Sequence, residues 1–156
     1  MVDNEITTGI SSTLYGPNLV LTRAQMVTFL WRQEGSQVGY PAHGFGDVSD
    51  SSYFSDAVAW AKAEGITTGT SAITFSPSED VTRAQLVTLL WRRAGGILDQ
   101  PPHGFIDVPE NRYYSVAVAW AKAEGITTGT SAITFSPSED VTRAQAAAML
   151  YREAVS

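Results

Sequence analysis

Residues Ala57 to Gln85 recur, residue for residue, as Ala117 to Gln145, sixty positions later. A fixed period of this kind dictates the architecture. Each repeat is one supersecondary unit that cannot bury its apolar face alone, so the units must share a core. Aligning Ile6 with Ile66 and Ile126 carries the register upstream through Gly9, Pro17 and Trp31. On that register the chain starts partway through a first unit, whose leading half is missing. The expected organisation is a partial repeat over 1-35 and complete repeats over 36-95 and 96-156, together one compact domain.

Each unit contains one strong helix-start signal. It reads Leu21-Thr22-Arg23-Ala24-Gln25, Val81-Thr82-Arg83-Ala84-Gln85 and Val141-Thr142-Arg143-Ala144-Gln145. Thr followed three residues on by Gln is a capping box, and Leu21 with Met26, or Val81 with Leu86, forms a hydrophobic staple. The third copy has only Ala146 as the staple partner. Arg23, Arg83 and Arg143 fall at N1, where the helix macrodipole disfavours a cation by roughly 0.3–1 kcal/mol. Three explanations stay open at this point. Each Arg joins the free amides of the helix start in recognising an anion, or it bridges to an acid such as Glu79 or Asp80 on the preceding loop, or it is merely inherited with the repeat.

A complete unit reads as two helices. Helix A is expected from Tyr53 to Glu64, with Phe54, Ala57, Val58 and Ala61 on one face and Gly65 as its stop. A turn with a short extended segment is expected over Ile66 to Phe75. Helix B follows from Arg83 to about Arg93, with Val87, Leu90, Trp91 and Ala94 as its stripe; the third copy has Ala147, Leu150 and Tyr151. The connectors Ser36 to His43 and Gly96 to His103 read as surface linkers. The sum is a mainly α chain of five helices in the order B A B A B, built from tandem helix-loop-helix repeats.

Composition excludes several functions. The net charge of −6 with no basic run argues against nucleic acid and against anionic membrane. No apolar run approaches the roughly 20 residues of a membrane span, so no membrane insertion is expected. The chain has no cysteine, hence no thiolate chemistry. No Gly-rich phosphate loop and no Ser–His motif is present. A carboxylate pair such as Glu64 and Asp80 stays open on sequence alone, but near-identical repeats suit multivalent attachment better than a single catalytic constellation. The chain is therefore read as a non-enzyme without cofactor or metal. Trp31, Trp60, Trp91 and Trp120 read as core, His43 and His103 as surface-linker residues, and the acids from Asp47 to Asp50 as turn and cap groups rather than a calcium loop.

The ordered motifs Phe45-Gly46-Asp47-Val48, Ala57-Val58, Gly65-Ile66, Gly69, Phe75-Ser76-Pro77 and Val81-Thr82-Arg83-Ala84-Gln85 resemble S-layer homology domains over essentially the whole chain. The resemblance implies a pseudo-threefold helical bundle with projecting loops. It also implies a cell-surface anchor, part of a larger exported protein, that binds a bacterial secondary cell-wall polysaccharide in grooves between repeats. The family's ligand-contacting Arg corresponds to Arg23, Arg83 and Arg143, which implies an acidic or pyruvylated glycan. Around them the candidate ligand-binding set comprises Gln25, Gln85 and Gln145, the stacking faces Tyr53 and Tyr113, and Gly9, Gly69 and Gly129 for close backbone approach. Three departures stand out: Gln replaces the family's Glu, Tyr replaces its Trp, and the Gly69 to Phe75 loop lacks the usual Tyr, Pro and Asp. A different expectation is self-association through the incomplete first repeat, whose B helix would have an exposed apolar flank.

Overall fold

The computed structural model describes residues 18–155. Among them the chain is mainly helical, with α1 (Arg23–Gln33), α2 (Ser55–Ala63), α3 (Arg83–Arg93), α4 (Ser115–Ala123) and α5 (Arg143–Val155). Extended pairing among these residues is limited to the isolated antiparallel bridges Thr22 with Asp80 and Thr82 with Asp140. The short extended segment expected after Ile66 is a closed turn instead. The Thr70 amide donates to the Thr74 carbonyl at 2.9 Å, and the Ser71 hydroxyl receives the amides of Ile73 and Thr74, so the backbone folds onto itself.

The chain divides into two compact units, Met1–Asp80 and Val81–Ser156. Helix α1 packs on α2 in the first, and α3 on α4 in the second. Each packed pair therefore joins helix B of one sequence repeat to helix A of the next. The sequence period and the packing unit are out of phase.

The helix-start signals fold as read. Thr22 and Thr82 form complete capping boxes with Gln25 and Gln85. Thr142 and Gln145 exchange the same two bonds at the start of α5, at 3.0 and 3.2 Å. Both members of each staple are buried, including Val141 and Ala146. Helices α1, α2, α3 and α4 end in Schellman turns; at the end of α2, Gly65 has φ +75° and the Ile66 amide reaches the Ala61 carbonyl at 2.8 Å.

Helix A differs from expectation at its start. It begins at Ser55, because the Ser55 amide is held in a turn to the Ser52 carbonyl and the first helical bond runs from Val58 to Phe54. Its buried face is Ala57, Val58, Trp60 and Ala61, with Phe54 only half-buried. In α5 the buried stripe is Ala146, Met149 and Leu150. A stripe at that phase turns Tyr151 outward, and it is 64% exposed rather than core. Ala94 is also exposed. Trp60 and Trp120 are core, whereas Trp31 and Trp91 are half-buried and donate from Nε1 to the carbonyls of Gln37 and Ile97, tying each connector to its helix.

The connectors are largely exposed, as expected, but not at their last residue. His43 and His103 are buried, contrary to the surface-linker reading. Each imidazole stacks on the Phe two residues later, and its Nδ1 accepts that residue's amide at 2.9 Å. Lys62 and Lys122 donate to the carbonyls of His43 and His103 and lie 4.7 Å from the ring centroids of Phe45 and Phe105.

Gly69 and Gly129 close the turns. Their φ values are +83° and +89°, and a Cβ on either would lie within 2.6 Å of backbone oxygen and of the Phe45 or Phe105 ring. Gly69→Ala and Gly129→Ala should each destabilise their unit by at least about 2 kcal/mol, combining a left-handed φ with overpacking. Gly65→Ala, whose added Cβ meets open space, should cost only about 1 kcal/mol. Urea denaturation midpoints of the three variants check this ordering.

Candidate functional site

Arg23 and Arg83 lie where helix B meets the loop that follows helix A. In the first unit the loop Phe75-Ser76-Pro77-Ser78-Glu79 lies across the start of α1. The Arg23 amide donates to the Glu79 carbonyl at 2.8 Å and the Ala24 amide to the Pro77 carbonyl at 3.0 Å. Thr22 Oγ1 takes the Gln25 amide. In the second unit Arg83 and Ala84 bond Glu139 and Pro137 at the same distances. The first three amides of α1 and α3 are thus matched to protein oxygens. This corrects one expectation: these helix starts offer no free amides to an anion. The acid that Arg83 faces also lies on the loop of the following repeat, at Glu139, rather than on the preceding one.

The arginine side chains continue the joint. Arg23 Nε donates to the Phe75 carbonyl at 2.7 Å, with its guanidinium 4.8 Å from the Phe75 ring centroid. Arg83 does the same with Phe135, at 2.7 Å and 4.7 Å. Loop carbonyls converging on the helix start place partial negative charge there, which offsets the unfavourable macrodipole at N1. Arg83 is only 5% exposed. Its hydrogen bonds go to neutral acceptors, the Phe135 carbonyl and, at 3.5 Å through Nη2, Thr127 Oγ1. Burial lowers its proton affinity from the ordinary guanidinium value, and the through-space attraction of Glu139 and Asp107 opposes that shift. Arg143 at the start of α5 is likewise buried, while its neighbours Ala144 and Gln145 are exposed.

Asp47 and Asp107 hold the same loops from the other side. Asp47 Oδ1 and Oδ2 accept the Phe75 and Ser76 amides at 2.8 Å each, and Asp107 repeats this with Phe135 and Ser136. These bonds carry Ser76 and Ser136 through a left-handed φ of +59°. Burial pushes both carboxyls up, but the amide hydrogen bonds and the facing Arg23 or Arg83 outweigh it, so both lie below the usual carboxylate value. The turn-and-cap role read for these acids is thereby located.

The remaining expected residues serve the helix starts, the turns and the exposed surface. The side-chain oxygens of Gln25, Gln85 and Gln145 accept the Thr amides of the capping boxes. Gly129 shares the loop with Arg83, since Thr127 Oγ1 accepts from both the Gly129 amide and Arg83 Nη2. The close approach at Gly69 and Gly129 is to the protein's own Phe45 and Phe105 rings. Tyr53 is 63% exposed and meets Phe54 edge-on at 5.0 Å; Tyr113 repeats this with Tyr114. Gly9 lies outside the described residues.

Sequence reasoning missed the ladder that stiffens the joint. Phe45 lies 5.7 Å from Phe75, with Lys62 over the Phe45 ring and Arg23 over the Phe75 ring, so each ring of the pair meets a cation. The second unit repeats it with Lys122, Phe105, Phe135 and Arg83. The available signal was the period-two spacing of His43 with Phe45 and of His103 with Phe105, repeated at sixty residues.

The model of the S-layer homology domain family matches residues 44–87 and 105–147. The chain is 36% identical over 111 residues to an endoglucanase of Bacillus sp. (strain KSM-635), covering 71% of this chain and 12% of that protein. It is 30% identical over 141 residues to a cell surface protein of Thermoanaerobacter kivui, covering 86% and 18%. It is 27% identical over 158 aligned positions to an amylopullulanase of Thermoanaerobacterium thermosulfurigenes, covering 97% and 8%. The chain thus spans less than a fifth of the length of these relatives. No helix among the described residues is long and apolar enough to cross a membrane.

The depressed carboxyls make a pH prediction. A group whose folded pKa lies below its unfolded value contributes stability that is complete above the unfolded pKa, about 3.9 for Asp, and is lost as pH falls through the folded value. Stability should therefore drop below about pH 4. Asp47→Asn/Asp107→Asn should flatten that drop and cost about 1–2 kcal/mol per site at neutral pH, since an amide supplies one acceptor where two amides need one each. Chemical denaturation from pH 2.5 to 7 (roughly the span of the carboxylate titration) checks both.

Proposed function

This chain belongs to the S-layer homology domain family, a family of cell-wall anchoring modules, and we propose that it binds a secondary cell-wall polysaccharide non-covalently at the outside of a bacterium. In this reading it is the attachment part of a larger exported protein. The module itself is non-catalytic; the enzymatic names among its relatives belong to proteins of which it matches 12% and 8%.

The observation that carries the reading is the state of Arg83. A guanidinium 5% exposed, hydrogen-bonded to neutral acceptors and held against a ring, meets negative charge only through space, from Glu139 and Asp107. The acidic substituent of a glycan, a pyruvyl or other carboxylate, would add a directly bonded charge of planar shape. Arg23 and Arg143 occupy the same sequence position in their own repeats, and repetition of the motif suits a multivalent attachment. Gln25, Gln85 and Gln145 line each helix start beside the Arg. Tyr53 and Tyr113 present flat exposed faces to sugar rings, and Gly69 and Gly129 keep the loops tight against the Phe45 and Phe105 rings.

A second reading, association between copies of the chain, is favoured by one observation. Ile106 and Ile133 are 74% and 55% exposed and are joined through the Ile106 amide and the Ile133 carbonyl at 2.9 Å. Sedimentation velocity over a hundredfold concentration range separates the readings, because a strictly monomeric protein removes the second.

Co-sedimentation with Gram-positive sacculi, before and after acid extraction of the secondary polymers, tests the first. Binding should vanish on extraction. Tyr53→Ala/Tyr113→Ala, which alters exposed side chains, should weaken it by about tenfold without moving the melting temperature. Arg83→Lys keeps the charge but loses the fork and should also weaken it. Unchanged binding to extracted walls would overturn the reading.

A further inference from the structure

The second unit contains a cleft of about 240 Å³ between its connector and the start of α4. Leu98, Pro101, Pro102 and Val116 make its apolar walls. His103, Glu110 and Ser115 also line it, His103 and Ser115 each 3% exposed and the Glu110 side chain at the open edge.

The hydrogen bonds determine which nitrogen of His103 carries the proton. Nδ1 accepts the Phe105 amide at 2.9 Å, so the proton of the neutral ring is on Nε2. Nε2 is buried and has no hydrogen-bond partner. Glu110 Oε1 lies 3.2 Å away, within ion-pair distance but outside hydrogen-bond geometry. The other carboxylate oxygen is oriented by the Ser115 hydroxyl, 3.1 Å from Oε2. A buried donor left unmet costs about 1–3 kcal/mol. Here it stands beside an oriented acceptor.

We propose that this cleft is a saccharide subsite, separate from the arginine joint, that recognises a ring hydroxyl. A hydroxyl both donates and accepts, so one group meets Glu110 and His103 Nε2 together. An ammonium leaves the Nε2 proton unmet, and a carboxylate or phosphate is repelled by Glu110. The Leu98, Pro101 and Pro102 wall suits the C–H face of a sugar ring. The first unit repeats the buried, unpartnered Nε2 at His43, with Asp50 3.4 Å away, but has an acid one methylene shorter and Asp56 in place of Val116. The proposal rests on the reading of the chain as a glycan binder and adds a neutral contact to the acidic one.

The test is nitrogen-15 NMR of the two imidazoles in the whole chain during titration with glucose and with N-acetylglucosamine, with glycerol as a ringless comparator. His103 should shift saturably with one of the sugars while His43 stays still, and Glu110→Ala should weaken this about tenfold. Glu110 is 80% exposed at its side chain, so that variant retains the fold. A still His103, an equal response of both imidazoles, or an equal response to glycerol overturns the subsite. Wall co-sedimentation measured on the same samples keeps the two proposals apart. Binding to walls with a still His103 overturns the subsite alone, and a saturating His103 without wall binding supports the subsite and overturns the anchoring role.

Discussion

The bond from the arginine Nε to the phenylalanine carbonyl, 2.7 Å long and spanning 52 residues, is the contact on which both units depend. It fastens the loop after helix A to the start of helix B, where the backbone has unmet groups on both sides. The helix start has orphan amides and the loop has unpaired carbonyls. Docking one on the other satisfies both, through Arg23 with Glu79 and Ala24 with Pro77 in the first unit. The same carbonyls make a cation tolerable at the positive end of a helix. An Arg that is wrong for an isolated helix is right for this joint.

Around that bond the loop is held from three directions. Asp47 grips the Phe75 and Ser76 amides, the Phe75 ring meets both Phe45 and the Arg23 guanidinium, and Gly69 lets the turn close against Phe45. Buried rings flanked by cations gain electrostatic attraction in a low-dielectric setting as well as area burial. The loop is therefore rigid rather than a tether. Rigidity matters for binding a polymer, because a surface that is already ordered avoids the entropy of ordering at each contact.

The two units repeat this joint closely because their joint residues are the same. Their differences fall elsewhere. Gly46 becomes Ile106, Asp50 becomes Glu110 and Asp56 becomes Val116, at an exposed loop edge and along the connector cleft. Ligand preference varies at such positions without disturbing the contacts that hold the unit together. The repeat is a common frame with individual faces.

Capping boxes, staples, Schellman glycines and the α3 boundaries were legible in the sequence, since each rests on neighbours within five residues whose chemistry is local. Asp47 was recognisable as a cap, and the ordered motifs pointed to the family. The partner of that cap, 28 residues away at Phe75, was not legible, nor was the burial of His43, which a polar residue in a Pro- and Gly-rich connector does not announce. Tyr151 shows the same limit from the other side: its spacing fits a stripe, but the phase of the stripe is set by what α5 packs against. Local hydrogen-bond chemistry and periodicity thus determined where the helices are and how they begin and end. Only the tertiary structure decided that helix B pairs with helix A of the next repeat, and that the amides of Arg23 and Arg83 meet a loop rather than an anion. The reason is that an orphan donor accepts any oxygen that reaches it, and reach is a property of the folded chain.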